Sequence, residues 1–141
     1  MEKYIGLDLG TVTLGVATSD TLGFVHGLET FRFQKEAYSQ ARKYVHDLVA
    51  KTGIKNIVIG LPINMDGTQG FRAQSSIRFK DDLLKEDSSL NIELVDERLT
   101  SVSAHRTLNE MNISSRDRKK TVDRVAACEI LDFYLRMKGN K

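Results

Sequence analysis

The chain opens on two apolar runs separated by a short polar break. Tyr4-Ile5-Gly6-Leu7-Asp8-Leu9 and residues 12–18 read as β-strands, and Gly10-Thr11 between them reads as a hairpin turn. Residues 25–33 form a weaker third strand pattern. Over residues 36–52 the period changes: Ala41, Tyr44, Val45, Leu48 and Val49 recur at helical spacing, and Gly53 is placed to stop that helix. Asn56-Ile57-Val58-Ile59-Gly60-Leu61 is a continuous apolar run, the pattern of a parallel strand covered on both faces. Pro62, the single proline, ends it. A loop with two glycines follows over Asn64 to Gly70, then a helix from about Phe71 to Glu86. Ile92 to Asp96 reads as another strand, and about Ser101 to Met111 as a helix. Residues 112–121 are polar and charged with no apolar period, and read either as an ordinary surface loop or as a mobile segment that becomes ordered on substrate. A last helix covers about Val122 to Met137, with Val122, Val125, Ala126, Ile130, Phe133, Tyr134 and Met137 at helical spacing. The order is β-β-β-α-β-α-β-α-α. Such an order predicts an α/β domain: a three-strand meander leading into β-α units, giving a mixed five-stranded sheet flanked by helices.

Composition narrows the classes without choosing one. A chain of 141 residues suits one domain, expected to span residues 1–141. The net charge of +2 sets up no global field, so an anionic partner must be gripped by local basic clusters. The one cysteine, Cys128, has no partner for an internal disulfide and reads as a small core residue. The strand pattern begins at once, without a basic lead, and no segment approaches the roughly 20 apolar residues of a membrane span. No membrane association and a cytoplasmic location are the expectations.

Three acidic places carry the candidate chemistry. Asp8 stands near the end of the first strand, where an apolar run delivers a carboxylate and glycine soon follows. Burying that charge costs several kcal/mol or more unless something compensates it, and the two usual compensations are a metal ion and a phosphate-metal complex. Asp96-Glu97-Arg98 ends the last strand. Asp123 falls near the start of the final helix, on one stripe with Ala126, Ala127 and Ile130. The two small alanines would let that helix approach the sheet, and Gly6, of the same strand parity as Asp8, would clear the same face. In open α/β sheets the strand ends cluster on the edge where sites form. Three converging carboxylates require a cation. Hard oxygen donors without a His/Cys cluster suit Mg²⁺ or Mn²⁺. A carboxylate-bound pair of such ions serves phosphodiester hydrolysis, one activating water and the other steadying the leaving oxygen, so the reading points toward a two-metal-ion nuclease without a covalent intermediate. Of the neighbouring acids at the last strand's end, Asp96 is the better turn cap and Glu97 has the longer reach. Each acid also has a plainer reading: Asp8 as a turn former and Asp123 as a first-turn helix residue favoured by the dipole.

The basic residues are less specific. Arg116, Arg118, Lys119 and Lys120, with Arg124, form a cluster just before Asp123, either a solvated face or a grip on phosphates. Arg98 could bind a phosphate or simply neutralise the acids beside it. Arg72 follows the 64–70 loop at a helix start, a natural place for an anion. Asp20 and Asp66 read as turn residues, Tyr44 and Phe79 as core or partly buried. His26, His46 and His105 show no metal-ligand spacing.

Taken together, Ile5-Gly6-Leu7-Asp8-Leu9-Gly10-Thr11 with Gly15-Val16-Ala17, Gly60-Leu61-Pro62 with Asn64-Met65-Asp66-Gly67, Asp96-Glu97-Arg98-Leu99-Thr100, and Asp123 with Ala126-Ala127 resemble the YqgF-type family. Its members are bacterial proteins described as pre-16S rRNA nucleases and also as Holliday junction resolvases. Four motifs in order, over nearly the whole chain, make the resemblance specific. It implies an RNase H-like fold and a nuclease whose metal-binding catalytic acids are Asp8, Glu97 and Asp123, so it selects Glu97 over Asp96. It implies a structured RNA or branched DNA as partner. The family pattern has proline where this chain has Phe71. Both a monomer and a homodimer fit, although cutting a four-way junction calls for a symmetric dimer. Two other classes compete. An ATP-binding protein of the actin or sugar-kinase type also opens on Asp-x-Gly-Thr, but needs a second lobe for which this chain is too short. A noncatalytic nucleic-acid-binding module would gain nothing from acids facing phosphates.

Overall fold

The hairpin expected at the start of the chain forms between β1 (Tyr4–Leu9) and β2 (Thr13–Ser19), paired antiparallel with Leu9 opposite Leu14 and Asp8 opposite Gly15. Gly10 N–H closes the turn on the Thr13 carbonyl at 2.8 Å. The computed structural model describes residues 2–100, 102 and 116–139, with side chains described from Arg124 onward in the last stretch. β3 (Val25–Arg32) continues the meander antiparallel to β2. β4 (Asn56–Leu61) then inserts parallel to β1, and β5 (Asn91–Asp96) parallel to β4. The sheet order is β3-β2-β1-β4-β5, the mixed five-stranded sheet that the element order predicts. β1 is buried along its whole length because it lies mid-sheet with both faces covered. β3 is largely exposed because it forms an edge, which is why its apolar pattern is weak.

Helices cover the two faces unequally. α1 (Tyr38–Thr52) and α2 (Phe71–Glu86) take one face. Ala41, Val45, Leu48 and Val49 from α1 and Phe79 and Leu83 from α2 pack there on Ile5, Leu7, Leu9, Ile57 and Ile59. Gly53 stops α1 as the spacing predicts. Its φ of 76° is left-handed, and its N–H returns to the Val49 carbonyl. Each fully buried Leu or Ile in this layer contributes roughly 1.5–3 kcal/mol of hydrophobic stabilisation. α3 (Arg116–Gly139) covers the other face with Ala126, Ala127, Ile130, Leu131 and Leu135, packed on Tyr4, Ala17, Val58 and Val95 together with Val102.

One boundary differs from expectation. The last helix begins at Arg116 rather than about Val122, so residues 116–121 are helical and not part of a surface loop. Arg and Lys are good helix formers, and a helix can continue without an apolar stripe once propensity favours it. Apart from Val102, the helix expected from about Ser101 to Met111 lies outside the described residues, as do residues 112–115. Cys128 is half-buried on α3, where burial pushes its thiol pKa up. Asp20 and Asp66 are turn residues: Asp20 accepts from Leu22 and Phe24 N–H, and Asp66 from Thr68 N–H.

α3 lies close to the sheet because glycines line its path. A Cβ on Gly6 would stand 2.8 Å from Leu131 Cβ and 3.0 Å from the Ala127 carbonyl oxygen. A Cβ on Gly27 would stand 2.9 Å from Arg124 Cγ. The Tyr4 and Tyr134 rings meet at 5.6 Å. Tyr134 over Tyr4, then Ala127 and Leu131 over Gly6, means that α3 runs antiparallel to β1.

Candidate active site

Two carboxylates are buried where the parallel strands end. Asp8 is 2% exposed and Glu97 is 1% exposed. Side-chain alternation sends Asp8 to the α3 face, because Gly6, two residues earlier, faces Ala127 and Leu131. Glu97 keeps the parity of Val95, which packs in the α3 core. The β1–β4 register pairs Leu7 with Ile59, so the next step brings Asp8 level with Gly60. Gly60 in turn pairs with Val95 on β5. A Cβ on Gly60 would come within 2.6 Å of Glu97 Oε2. The Glu97 carboxylate therefore lies over Gly60, and Asp8 stands on the neighbouring strand, about 4.8 Å across.

The turn after β5 explains why Glu97, not Asp96, enters this space. Glu97–Leu99 is a single 3₁₀ turn. Asp96 caps it: Oδ1 accepts the Arg98 N–H at 2.9 Å, and the carboxylate takes the Arg98 guanidinium at 2.8–3.2 Å. Thr100 closes the other end by donating its N–H and Oγ1–H to the Glu97 carbonyl. Asp96 is thus the capping residue that its position suggests, and Glu97 is thrown onto the covered face. The Arg98 hydrogen bonds hold the Asp96 carboxyl below its ordinary value, and Asp96 raises the Arg98 pKa in return. Because the folded pKa of Asp96 is depressed, its pairing stabilises the fold above the ordinary carboxylate range and is lost as pH falls through the depressed value. Arg98→Gln is expected to move the acid-unfolding midpoint to higher pH, read by far-UV circular dichroism; an unmoved midpoint would show that the pair contributes nothing measurable.

Arg72, from the first turn of α2, crosses to the same place. Its Nη2 donates to the Leu9 carbonyl at 2.8 Å and lies 4.0 Å from Asp8 Oδ1. The guanidinium remains partly exposed. The loop before α2 closes on itself through Asn64 N–H to the Thr68 carbonyl and Gly67 N–H to the Asn64 carbonyl. A Cβ on Gly67 would stand 3.7 Å from Arg98 Nη1, so this loop borders the turn after β5. Asp8, Glu97, Arg72 and Arg98 thus belong to adjoining segments at one sheet edge.

Asp123 lies in α3, four residues before Ala127, and its side chain is outside the described residues. Arg116, Arg118, Lys119 and Lys120 occupy the first turns of the same helix, with side chains likewise outside them. Among the described side chains, no group of three candidate ligands is assembled. The two described histidines have structural partners: His26 pairs with Asp20 and His46 with Glu86.

Gly60 is the feature that strand reading misses. The run Asn56–Leu61 reads as a buried strand, and that reading gives the glycine inside it no role of its own. The available signal is that glycine weakens a strand interior and marks a close approach. Here the groups that approach are a carboxylate and Ile130, whose Cδ1 would be 2.4 Å from a Cβ at this position.

Comparison with known proteins agrees with this fold. A family model described as "RuvX: Holliday junction resolvase" matches residues 2–137. A protein of Staphylococcus carnosus (strain TM300) named "Putative pre-16S rRNA nuclease" is 40% identical over 135 residues, covering 95% of both chains. Proteins of the same name from Staphylococcus aureus, among them that of strain JH9, are 39% identical over the same span. Among solved structures, Thermus thermophilus RuvC in complex with a Holliday junction substrate superimposes with a TM-score of 0.63. That match covers 99% of this chain and 96% of the other at 11% identity. A further Thermus thermophilus RuvC structure gives 0.59 at 8% identity, and at such identities the likeness shows the shared fold, the RNase H-like arrangement. With its motifs in order and the match running almost end to end, the chain belongs to the RuvX family, the YqgF-type family that its sequence resembles.

Proposed function

We propose that this protein is a Mg²⁺- or Mn²⁺-dependent nuclease that hydrolyses phosphodiester bonds in the 5′ region of pre-16S rRNA, with Asp8, Glu97 and Asp123 as its metal-holding acids. The observation that carries the reading is the burial of Asp8 on β1 and of Glu97 just after β5, on either side of β4, with Gly60 of β4 leaving the space that Glu97 occupies. Two carboxylates buried on one face at one end of the sheet are costly to ionise together, and a shared cation offsets that cost. Their all-oxygen donor set fits a hard divalent ion rather than zinc. Asp123 is supported by the run of α3. The helix is antiparallel to β1, and moving from Gly6 toward Asp8 leads back along α3 to about one turn before Ala127, where Asp123 stands.

Hydrolysis adds a water oxygen to phosphorus and breaks the bond to the leaving oxygen, which takes up a proton. Divalent ions bound by these acids would supply activation of the water and charge neutralisation at the leaving oxygen. The chain's residues do the rest. Asp8 and Glu97 are fixed by strand and turn, so they lose little freedom on loading. Arg72 offers a partly exposed cation beside Asp8 for a phosphate oxygen. Arg98 and the basic residues Arg116, Arg118, Lys119 and Lys120 are the candidates for holding the backbone on either side.

The family description favours a second reading, a resolvase acting on four-way DNA. Cleavage of a pre-16S rRNA 5′ fragment and of a four-way DNA junction, side by side with Mg²⁺ and with chelator, separates the two. Mg²⁺-dependent cutting of the RNA is expected. Symmetric paired nicks in the junction with intact RNA would transfer the assignment to the second reading, and cutting unaffected by chelator would remove the metal from both.

A further inference from the structure

The nuclease reading leaves Phe71 unused, and so does the fold. It is the first residue of α2, 57% exposed. Its ring meets no other aromatic among the described residues, and it joins neither core. The first helical position favours proline or a polar residue, so helix formation does not call for phenylalanine there. Its sequence neighbour Arg72 reaches the Leu9 carbonyl and approaches Asp8. Phe71 therefore stands one residue from the cation at the acids. Two further exposed apolar side chains occupy the segments that frame the same edge. Met65, 79% exposed, tips the loop that borders Arg98, and Leu99, 62% exposed, ends the turn that carries Glu97.

Exposed apolar side chains on the segments that also carry a guanidinium and a buried acid are poorly matched to a continuous duplex, whose surface offers phosphates and groove edges. They match an unpaired nucleotide, which presents an anionic phosphate and, beside it, an apolar π-face. Resting on the nuclease reading, we propose that Phe71 is a stacking platform for an unpaired base next to the scissile phosphate. The substrate is then single-stranded or locally opened at the cut. Arg72 takes the phosphate, Phe71 takes the base, and Met65 and Leu99 limit where the strand can run.

The test uses the full-length protein with two RNAs of the same sequence, one unpaired at the cut and one paired there. Phe71→Ala is expected to lower the preference for the unpaired RNA about tenfold, chiefly through KM. Phe71→Tyr should retain the preference. Leu22→Ala, equally apolar and exposed but on the turn at the opposite sheet edge, should leave it unchanged. The second readout needs no cleavage. In an Asp8→Asn background, 2-aminopurine placed next to the cut should be quenched on binding, and Phe71→Ala should abolish the quench. An RNA bound with the same paired-to-unpaired ratio and the same fluorescence by Phe71→Ala overturns the stacking proposal and leaves the nuclease reading intact. RNA neither bound nor cut by the wild type overturns both.

Discussion

Asp8→Asn is expected to lower the cleavage rate about a thousandfold, corresponding to about 4 kcal/mol of transition-state stabilisation. The substitution keeps the shape of the side chain and removes its charge. Asp8 is buried, and its nearest described cation, Arg72, is partly exposed and also bonds the Leu9 carbonyl. Arg72 can therefore be hydrated when the opposing charge is gone, and the fold should survive with a Tm within a few degrees of wild type. The loss should fall on kcat, with KM for RNA nearly unchanged, because the backbone grip lies elsewhere. Mn²⁺ affinity, measured by calorimetry without nucleic acid, should fall in parallel. Glu97→Gln and Asp123→Asn should behave in the same way. Asp96→Asn is the discriminating control. Its carboxylate caps the turn and holds Arg98, so losing it should cost no more than about tenfold. Equal losses in Asp96→Asn and Glu97→Gln would mean that the turn as a whole matters and that Glu97 has no separate role. Full activity in Asp8→Asn would remove the catalytic assignment altogether.

That contrast between Asp96 and Glu97 also shows where sequence reasoning reaches its limit. Strands such as Ile57–Leu61 are legible because burial on both faces demands an unbroken apolar run. α1 and α2 are legible because one apolar stripe repeats at the helical period. The start of α3 was not, since Arg116–Lys120 carry no stripe and only propensity makes them helical. The choice between adjacent acids was not legible from spacing either. It depends on the 3₁₀ turn that commits Asp96 to the Arg98 N–H and turns Glu97 onto the α3 face. Arg72 was readable as a cation at a helix start, but its crossing to Leu9 and Asp8 spans 63 residues of sequence and follows from the β1–β4–α2 packing. Short-range pattern finds the elements. It does not find which side chains of different elements share a few cubic ångströms.

Gly60→Ala tests that sharing directly, and its effect should be large on two independent readouts. The added methyl would stand 2.4 Å from Ile130 Cδ1 and 2.6 Å from Glu97 Oε2, closer than real Cβ contacts allow. Both neighbours must yield. Overpacking of this kind costs about 1–3 kcal/mol, so Tm should fall by about 5–10 °C. Glu97 must retreat by nearly 1 Å to reach ordinary contact, and misplacement on that scale in a catalytic group costs about a hundredfold in rate. The two effects can be separated because they have different partners. Ile130→Val removes Cδ1 and with it the closer of the two collisions. The double variant Gly60→Ala/Ile130→Val should regain much of the lost Tm, relative to Ile130→Val alone, while cleavage stays about a hundredfold down. If activity returned together with stability, the deficit would belong to packing between α3 and β4, and Gly60 would be a packing glycine only. Continued loss of activity in a restabilised protein is the outcome that a carboxylate held over Gly60 requires.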